Sequence, residues 1–178
     1  SHPCQALADL MTVMEYKGTL SGLKFAYVGD GNNVANSLMR ACSKLGIEMW
    51  VATPPGHEPE RRVVEECRGY AERSGATLEL VADPGDAAAD ADVLYTDVWV
   101  SMGQPEAAAD ALGRFRDYRI DREMVALARE DVMVMHCLPA HRGQEITSEV
   151  LDGSRSAAWD QAENRLHAQV ALLGAVFG

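Results

Sequence analysis

The chain alternates short, continuously apolar runs with longer stretches in which apolar residues recur every three or four positions. Short apolar runs bounded by glycine or proline are typical of buried strands, and the longer periodic stretches predict amphipathic helices. Strands are predicted at residues 24–28, 48–52, 77–81, 93–96 and 132–135, with a further short strand at 156–159. Because the five main runs are apolar throughout, they indicate a parallel sheet that is covered on both faces.

The predicted helices lie between these strands. They cover residues 3–17, 34–45, 60–74, a stretch ending at Phe115, 124–129 and 161–176, with a short surface helix in the Ala/Asp-rich stretch 86–92. In the first helix, apolar residues at positions 7, 10, 11 and 14 have helical spacing, and Gly18 ends it. In the last helix, Val170 and Leu173 mark the apolar side.

This order of elements predicts one doubly wound, Rossmann-like α/β domain, with a sheet of about five parallel strands and helices on both faces. The composition shows no break or linker, so all 178 residues are assigned to one domain. In such folds a ligand lies beyond the carboxyl ends of the strands. The polar residues that follow each strand are therefore the candidates for a functional site.

Charge and cysteine content restrict the kind of partner. The formal net charge is −11, with no Lys/Arg cluster, which argues against nucleic acid and anionic membranes as partners. No apolar run is long enough to span a membrane, and the sequence begins without a signal peptide. The four cysteines are scattered, without the spacing of a disulfide framework. They are therefore expected to be reduced thiols of a cytoplasmic protein.

The turn after the first strand, residues 29–33 (Gly-Asp-Gly-Asn-Asn), admits three interpretations. It resembles a dinucleotide-binding fingerprint, but Val34 stands at the third glycine position and Thr53 follows the second strand where a carboxylate would be needed. A plain strand-to-helix turn explains the glycines equally well. A substrate-binding asparagine is the third possibility, because an amide at a helix N-terminus suits a carboxylate or an ammonium group.

The loop after the fourth strand offers a carboxylate and a hydroxyl. Asp97 can hold a cation and Ser101 can hydrogen-bond, so together they are able to grip the two ends of a zwitterionic amino acid. The alternative is an ordinary loop in which Asp97 caps the turn and Trp99 packs.

The stretch 132–143 runs from a buried strand into a polar corner, and Pro139 forces the chain to turn there. Its polar residues are His136, Cys137, His141 and Arg142. His136, Cys137, His141 and His2 are competent metal ligands, although no paired spacing supports a metal site. Cys137 is alternatively a nucleophile activated by an imidazole, or a substrate-facing wall without covalent chemistry. Adjacent strand residues point to opposite faces, which disfavours activation of Cys137 by His136.

Residues 163–165 (Glu-Asn-Arg) are predicted to lie in the first turn of the last helix. An arginine there opposes the helix dipole. Arg165 is therefore either part of a surface salt bridge or part of an anion-binding site.

Taken together and in order, these stretches resemble the ornithine carbamoyltransferase family. The resemblance is carried by residues 2–5 (His-Pro-Cys-Gln), 29–33, 97–103 (Asp-Val-Trp-Val-Ser-Met-Gly), 136–139 (His-Cys-Leu-Pro) and 163–165, and it covers nearly the whole chain. The Ser-Met-Gly loop and the His-Cys-Leu-Pro stretch are specific to the ornithine enzymes, whereas the His-Pro-x-Gln start is shared with aspartate carbamoyltransferases.

The resemblance implies roles for individual residues. The implied ornithine-binding residues are Asn33, Asp97, Ser101, Met102, Cys137 and Leu138. The implied carbamoyl phosphate-binding residues are His2, Gln5, Cys137 and Arg165. Among them, Asp97, Cys137 and His2 are the implied catalytic residues, and no metal or cofactor is implied.

The resemblance also implies a reaction, the transfer of a carbamoyl group from carbamoyl phosphate to the δ-amine of ornithine. The family has an N-terminal domain with a Ser-x-Arg-Thr phosphate loop that this sequence lacks, so the chain is expected to be the ornithine-binding half, with residues 1–17 as a junction helix. Complete members are usually homotrimers. A nucleotide-binding regulatory module and a thiol or metal-binding module remain alternatives, as does a relative acting on acylated ornithine or putrescine, although the stretch 101–103 favours free ornithine.

Overall fold

The computed structural model describes residues 1–99 and 113–178. Its centre is a sheet of five parallel strands in the order β3-β2-β1-β4-β5. The strands are β1 (Lys24–Val28), β2 (Glu48–Ala52), β3 (Leu78–Val81), β4 (Val93–Thr96) and β5 (Met133–His136). The predicted parallel α/β fold is confirmed.

Helices connect successive strands and lie on both faces of the sheet. They are α1 (Pro3–Lys17), α2 (Asn33–Leu45), α3 (Arg61–Ser74), α4 (Pro84–Ala88), α5 (Arg122–Leu127), α6 (Ser148–Leu151) and α7 (Ala158–Phe177). A 3-10 turn at Arg116–Tyr118 precedes α5. The helix predicted to end at Phe115 lies largely outside the described residues.

The strand residues divide between two apolar clusters, one on each face. Along β1, Phe25 and Tyr27 pack with the apolar residues of α1, α2 and α3. The intervening Ala26 and Val28 pack with α4, α5 and α6 on the opposite face. Each large side chain buried in this way contributes about 1.5–3 kcal/mol, so the two-sided burial that explains the apolar strands also stabilises the sheet.

The strand order changes direction between β1 and β4. The chain steps outward from β1 to β2 and β3 on one side, and from β4 to β5 on the other. Tyr27 of β1 pairs with Tyr95 of β4, so the two strands end side by side. The turn at residues 29–33 and the residue Asp97 therefore meet at the point where open α/β sheets bind ligands.

The apolar residues of α1 are only partly buried. Leu10 is buried, whereas Leu7 and Met14 are 44% and 45% exposed. Polar residues are buried instead, among them Asp9 and Thr12. The reason is that α1 packs along α7, which presents polar side chains to it. An apolar pattern alone could not reveal this, because the partner side chains are remote in sequence.

The C-terminal end of the chain also departs from the predictions. The strand predicted at 156–159 is wrong, because Ser156 forms one isolated bridge to Val134 and α7 already begins at Ala158. Arg165 consequently lies beyond the first turn of its helix. Val170 and Leu173, predicted to lie on the apolar side of this helix, are 61% and 56% exposed. This part of α7 extends past the elements that would cover it in the described chain.

The short helix predicted at 86–92 forms earlier, as α4, because the Asp83 carboxylate accepts a hydrogen bond from the Gly85 amide at 2.8 Å and caps its start. Its alanines Ala87 and Ala88 are fully buried, so it is not merely a surface helix. Within residues 1–99 and 113–178, no helix combines the length and apolar character needed to cross a membrane.

Candidate active site

The Asp97 carboxylate lies at the carboxyl end of β4 and is almost fully buried. Its Oδ1 accepts hydrogen bonds from the Val98 amide at 2.8 Å and the Cys137 thiol at 2.9 Å. Its Oδ2 accepts from the Asn32 side-chain amide at 2.8 Å. Both oxygens are thus held in place by neutral donors, and a carboxylate so placed can still accept a hydrogen bond from a substrate cation.

The side chain of Asn32 both caps α2 and holds Asp97, a role that was not predicted from the sequence for Asn32 or for Asn33. Its side-chain oxygen accepts hydrogen bonds from the amides of Val34 and Ala35, at 2.8 and 3.2 Å, and so caps α2. Its amide nitrogen holds Asp97. Asn33, the predicted ornithine ligand, is the first residue of α2 and is exposed at the same edge of the sheet.

Cys137 is a protonated donor in this arrangement. Burial and, after it, the charge of Asp97 raise the pKa of the Cys137 thiol. A thiol with a raised pKa is a poor nucleophile, because the thiolate is the reactive form. The geometry therefore favours the interpretation of Cys137 as a substrate-facing wall over a covalent nucleophile.

The chain beside Cys137 is held by a fully buried pair, His136 and Glu145. His136 Nδ1 accepts a hydrogen bond from the Leu138 amide at 2.8 Å, so the ring proton belongs on Nε2. That Nε2–H donates to Glu145 Oε1 at 3.1 Å. Leu138 has a positive φ of 55°, a conformation that non-glycine residues adopt rarely. The pair fixes this turn, and His136 does not contact Cys137 as an activating base.

A second set of residues approaches from α1 and α7. The Arg165 guanidinium donates a hydrogen bond to Gln5 Oε1 at 2.7 Å. Its described partner is thus an amide oxygen and not the carboxylate of a surface salt bridge. Arg165 Nε is buried and has no hydrogen-bond partner among the described residues. A half-buried guanidinium with unused donors suits an anion.

His2 occupies the N-cap position of α1, without a side-chain capping hydrogen bond, and lies near enough to Asp97 and Arg165 to feel both charges. Its backbone amide donates to Ser37 Oγ at 2.7 Å, which ties the start of α1 to the first turns of α2. Burial and then the Arg165 charge lower the pKa of His2, while the Asp97 charge opposes this. The imidazole is therefore neutral at pH 7 and is able to donate a hydrogen bond to a substrate oxygen.

The glycine turn after β1 is explained by packing within the chain. A Cβ on Gly31 would lie 2.3 Å from the backbone nitrogen of Pro59, so only glycine fits there. Asp30 beside it contacts His57 Nδ1 at 2.9 Å. The close approach that a dinucleotide fingerprint reserves for pyrophosphate is occupied here by the loop at residues 57–59.

Two further predictions concern Ser101 with Met102 and the alternative of a metal site. Ser101 and Met102 lie outside the described residues. For the metal alternative, His2, His136, Cys137 and His141 do not converge: across residues 1–99 and 113–178 there is no group of three or more His, Cys, Asp or Glu side chains suited to a metal ion.

Several residues of this region were not singled out from the sequence: Asp9, Asn32, Tyr95, Glu145 and Gln161. All of them are hydrogen-bond partners of predicted site residues or of one another. The spacing of Gln5 and Asp9, four residues apart on one helix, was the available signal. The others are polar residues whose partners are distant in sequence.

Comparison with known proteins gives a consistent result. Residues 21–176 match the family model described as "Aspartate/ornithine carbamoyltransferase, Asp/Orn binding domain". The chain is 55% identical over 178 residues to the anabolic ornithine carbamoyltransferase of Pyrococcus furiosus, covering 100% of this chain and 56% of that protein. It is 51% identical over 177 residues to the ornithine carbamoyltransferase of Nostoc punctiforme, covering 99% and 58%. The chain thus spans little more than half the length of these relatives.

Solved structures agree in fold. The Pyrococcus furiosus ornithine carbamoyltransferase superimposes with a TM-score of 0.94 at 55% identity, covering 97% of this chain and 55% of that one. The Gloeobacter violaceus ornithine carbamoyltransferase gives a TM-score of 0.93 at 49% identity, covering 100% and 59%.

Proposed function

Because the chain belongs to the aspartate/ornithine carbamoyltransferase family, as its Asp/Orn-binding domain, we propose that it supplies the ornithine-binding half of an ornithine carbamoyltransferase. The reaction joins the δ-amine of ornithine to the carbonyl carbon of carbamoyl phosphate and yields citrulline and phosphate. The observation that carries the proposal is the Asp97–Cys137 pair at the junction of β1 and β4, flanked by Asn32 and Asn33.

In the proposed complex, Asp97 receives the δ-ammonium group of ornithine. An ammonium has no lone pair, so it must lose a proton before it attacks. Asp97, which already orders the Cys137 thiol, is placed to orient the amine and to accept or relay that proton. Asn33, Ser101, Met102 and Leu138 are proposed to contact the remainder of ornithine.

Carbamoyl phosphate is proposed to lie toward His2, Gln5 and Arg165. His2, neutral because of its lowered pKa, polarises the carbonyl as charge develops on its oxygen. Gln5, whose side-chain oxygen faces the site, holds the Arg165 guanidinium beside the substrate. Arg165 stabilises the departing phosphate through its unused donors. Attack forms the C–N bond and breaks the C–O bond to phosphate, so the step balances without a cofactor.

We further propose that most of the phosphate contacts come from a carbamoyl phosphate domain outside these 178 residues. The net charge of −11 makes this chain alone a poor host for a dianion. The complete enzyme is proposed to be a cytoplasmic homotrimer that acts in arginine biosynthesis.

The alternative of a nucleotide-binding regulatory module receives less support from the site. The loop at residues 57–59 fills the place beside Gly31, and Thr53, not a carboxylate, directly follows β2. A thiol or metal-binding module is disfavoured by the raised pKa of Cys137.

The test is a citrulline assay of a protein in which this chain is joined to the carbamoyl phosphate domain of a relative. The Asp97→Asn variant should lose turnover by about 10²–10⁴-fold, the range typical of a proton-transfer group, with little change in thermal stability. Asp92 is the matched control, since it lies at the opposite end of β4 and binds the Lys24 amide and Arg129. Asp92→Asn should lower stability and leave turnover unchanged. Full turnover and unchanged ornithine affinity in Asp97→Asn would refute the assignment.

A further inference from the structure

A strip of polar side chains is buried between α1 and α7, where an apolar contact would be expected. On α1 these residues are Gln5, Asp9 and Thr12, and on α7 they are Gln161 and Asn164. Burying polar groups costs free energy unless every donor and acceptor is satisfied. Two apolar helix faces would hold α1 on α7 without that cost, so the strip calls for another explanation.

Asp9 is the centre of this strip and is fully buried. Its Oδ1 accepts hydrogen bonds from the side-chain amides of Gln5 at 2.9 Å and Gln161 at 2.7 Å. Its Oδ2 accepts from the Tyr95 hydroxyl at 3.1 Å. A single carboxylate thus joins side chains from α1, α7 and β4.

Each of these partners leads to a residue of the candidate site. Gln5 accepts a hydrogen bond from Arg165 at 2.7 Å through its other terminal atom. Gln161 accepts from the His136 backbone amide at 2.9 Å, immediately before Cys137. Both amides are therefore locked in one orientation, with nitrogen toward Asp9 and oxygen toward the site.

We propose that Asp9 is a positioning residue, which fixes the Gln5–Arg165 arm relative to the turn that carries Cys137. The inference rests on the proposed function, in which the arm faces carbamoyl phosphate and the turn faces ornithine. Positioning two reactants against each other is the main contribution that such a reaction needs from the protein. Small displacements of the side chains that position them therefore reduce the reaction rate strongly.

The part of the strip formed by Thr12 and Asn164 provides an internal control. Thr12 donates to the Ala8 carbonyl at 2.8 Å and accepts from Asn164 at 3.0 Å. Asn164 also donates to Glu15. None of these residues contacts Arg165, Tyr95 or His136 through its side chain, so this part stabilises the same helix pair without reaching the site.

The kinetic experiment compares Asp9→Asn with Thr12→Val in a protein that carries this chain and a carbamoyl phosphate domain. An asparagine has nearly the same shape, but its amide nitrogen cannot accept the Tyr95 hydrogen. We expect Asp9→Asn to lower kcat and raise the KM for carbamoyl phosphate, each by roughly tenfold, as for the loss of one buried hydrogen bond. Thr12→Val should change melting temperature alone. Unchanged kinetic constants in Asp9→Asn beside an active wild type would overturn the inference.

A second measurement does not depend on turnover. In NMR spectra of the 178-residue chain, Asp9→Asn should shift the backbone amide signals of His136 and Leu138 and the Nε–H signal of Arg165. Thr12→Val should leave these signals in place. If the wild type formed no citrulline but these shifts appeared, the proposed function would fail while the positioning network stood. If these signals stayed at their wild-type positions in Asp9→Asn as well as in Thr12→Val, the network itself would be refuted.

Discussion

At the scale of single residues, the chemistry of the site depends on which group carries the proton between Asp97 and Cys137. The thiol donates to the carboxylate, and burial with the neighbouring negative charge raises its pKa. The proton therefore stays on sulfur at neutral pH. We therefore expect Cys137 to act by hydrogen bonding and not by covalent attack.

A serine at position 137 tests this distinction. Its hydroxyl can donate to Asp97 in the same direction, so Cys137→Ser in a protein with both domains should retain citrulline formation, reduced by no more than about a hundredfold. Steady-state kinetics measure the residual rate. Complete loss of activity, together with a carbamoyl-thiol adduct trapped on the wild type and found by mass spectrometry, would contradict the non-covalent role.

The sequence identified site residues where their position followed from the fold, and missed those whose partners are remote. Asp97 and Cys137 each follow a strand, so the sheet edge gathers them whatever the details of packing. The choice between Asn32 and Asn33 could not be made in this way, because it depends on which side chain turns back to cap α2. The contacts of Asp9 with Tyr95 and Gln161 could not be predicted, because these partners are 86 and 152 residues away along the chain.

At the scale of elements, the alternation of apolar runs predicted all five strands, because a strand buried on both faces is apolar at every position. A sixth strand, predicted at 156–159, is wrong. The start of α7 was accordingly placed too late, because Ala157 at its N-cap position makes no side-chain capping hydrogen bond.

The α1–α7 contact should make folding stability depend on pH. Burial raises the pKa of Asp9 from 3.8 to about 7, against the opposing effect of its hydrogen bonds. The folded state therefore binds this proton more tightly than the unfolded state. The stabilising contribution is complete below the unfolded pKa and is lost as the pH rises through about 7.

Urea denaturation of wild type and Asp9→Asn between pH 4.5 and 8 measures this contribution. Relative to the variant, the wild type should lose about 1.4 kcal/mol per pH unit up to pH ~7 and no more above it. The charged and titratable groups that face Asp9 are Arg165 on α7, Tyr95 on β4, Cys42 on α2 and Cys137 after β5. Burial raises the pKa of Tyr95 and of both thiols, so these three groups stay protonated throughout the range. A difference between the two proteins that is constant with pH would contradict the assignment.

At the scale of the whole molecule, the proposed function gives this chain the ornithine site and only part of the carbamoyl phosphate site. Its relatives are nearly twice as long. In α7, apolar residues such as Leu166, Val170 and Phe177 are exposed, and no described element covers them. Placing two substrates against each other can supply roughly 7–11 kcal/mol of a reaction barrier, and that advantage disappears when one substrate has no fixed site.

The 178-residue chain alone should therefore fold and bind ornithine weakly, without detectable carbamoyl transfer. Citrulline assays with and without an added carbamoyl phosphate domain provide the measurement, and calorimetry gives the ornithine affinity. Sedimentation should show self-association, because the exposed apolar residues of α1 and α7 favour contact between copies. Turnover by the chain alone, close to that of the two-domain protein, would show that the site is misplaced.

The double use of the Asn32 side chain links the site to the backbone of α2. The same amide group caps the first turn of the helix through its oxygen and holds Asp97 through its nitrogen. A cation that draws Asp97 away from Asn32 loosens the cap, and one that draws the two together tightens it. The exchange of the Val34 and Ala35 amide hydrogens with solvent should therefore change when a ligand binds Asp97, even if that ligand contacts neither of these two residues.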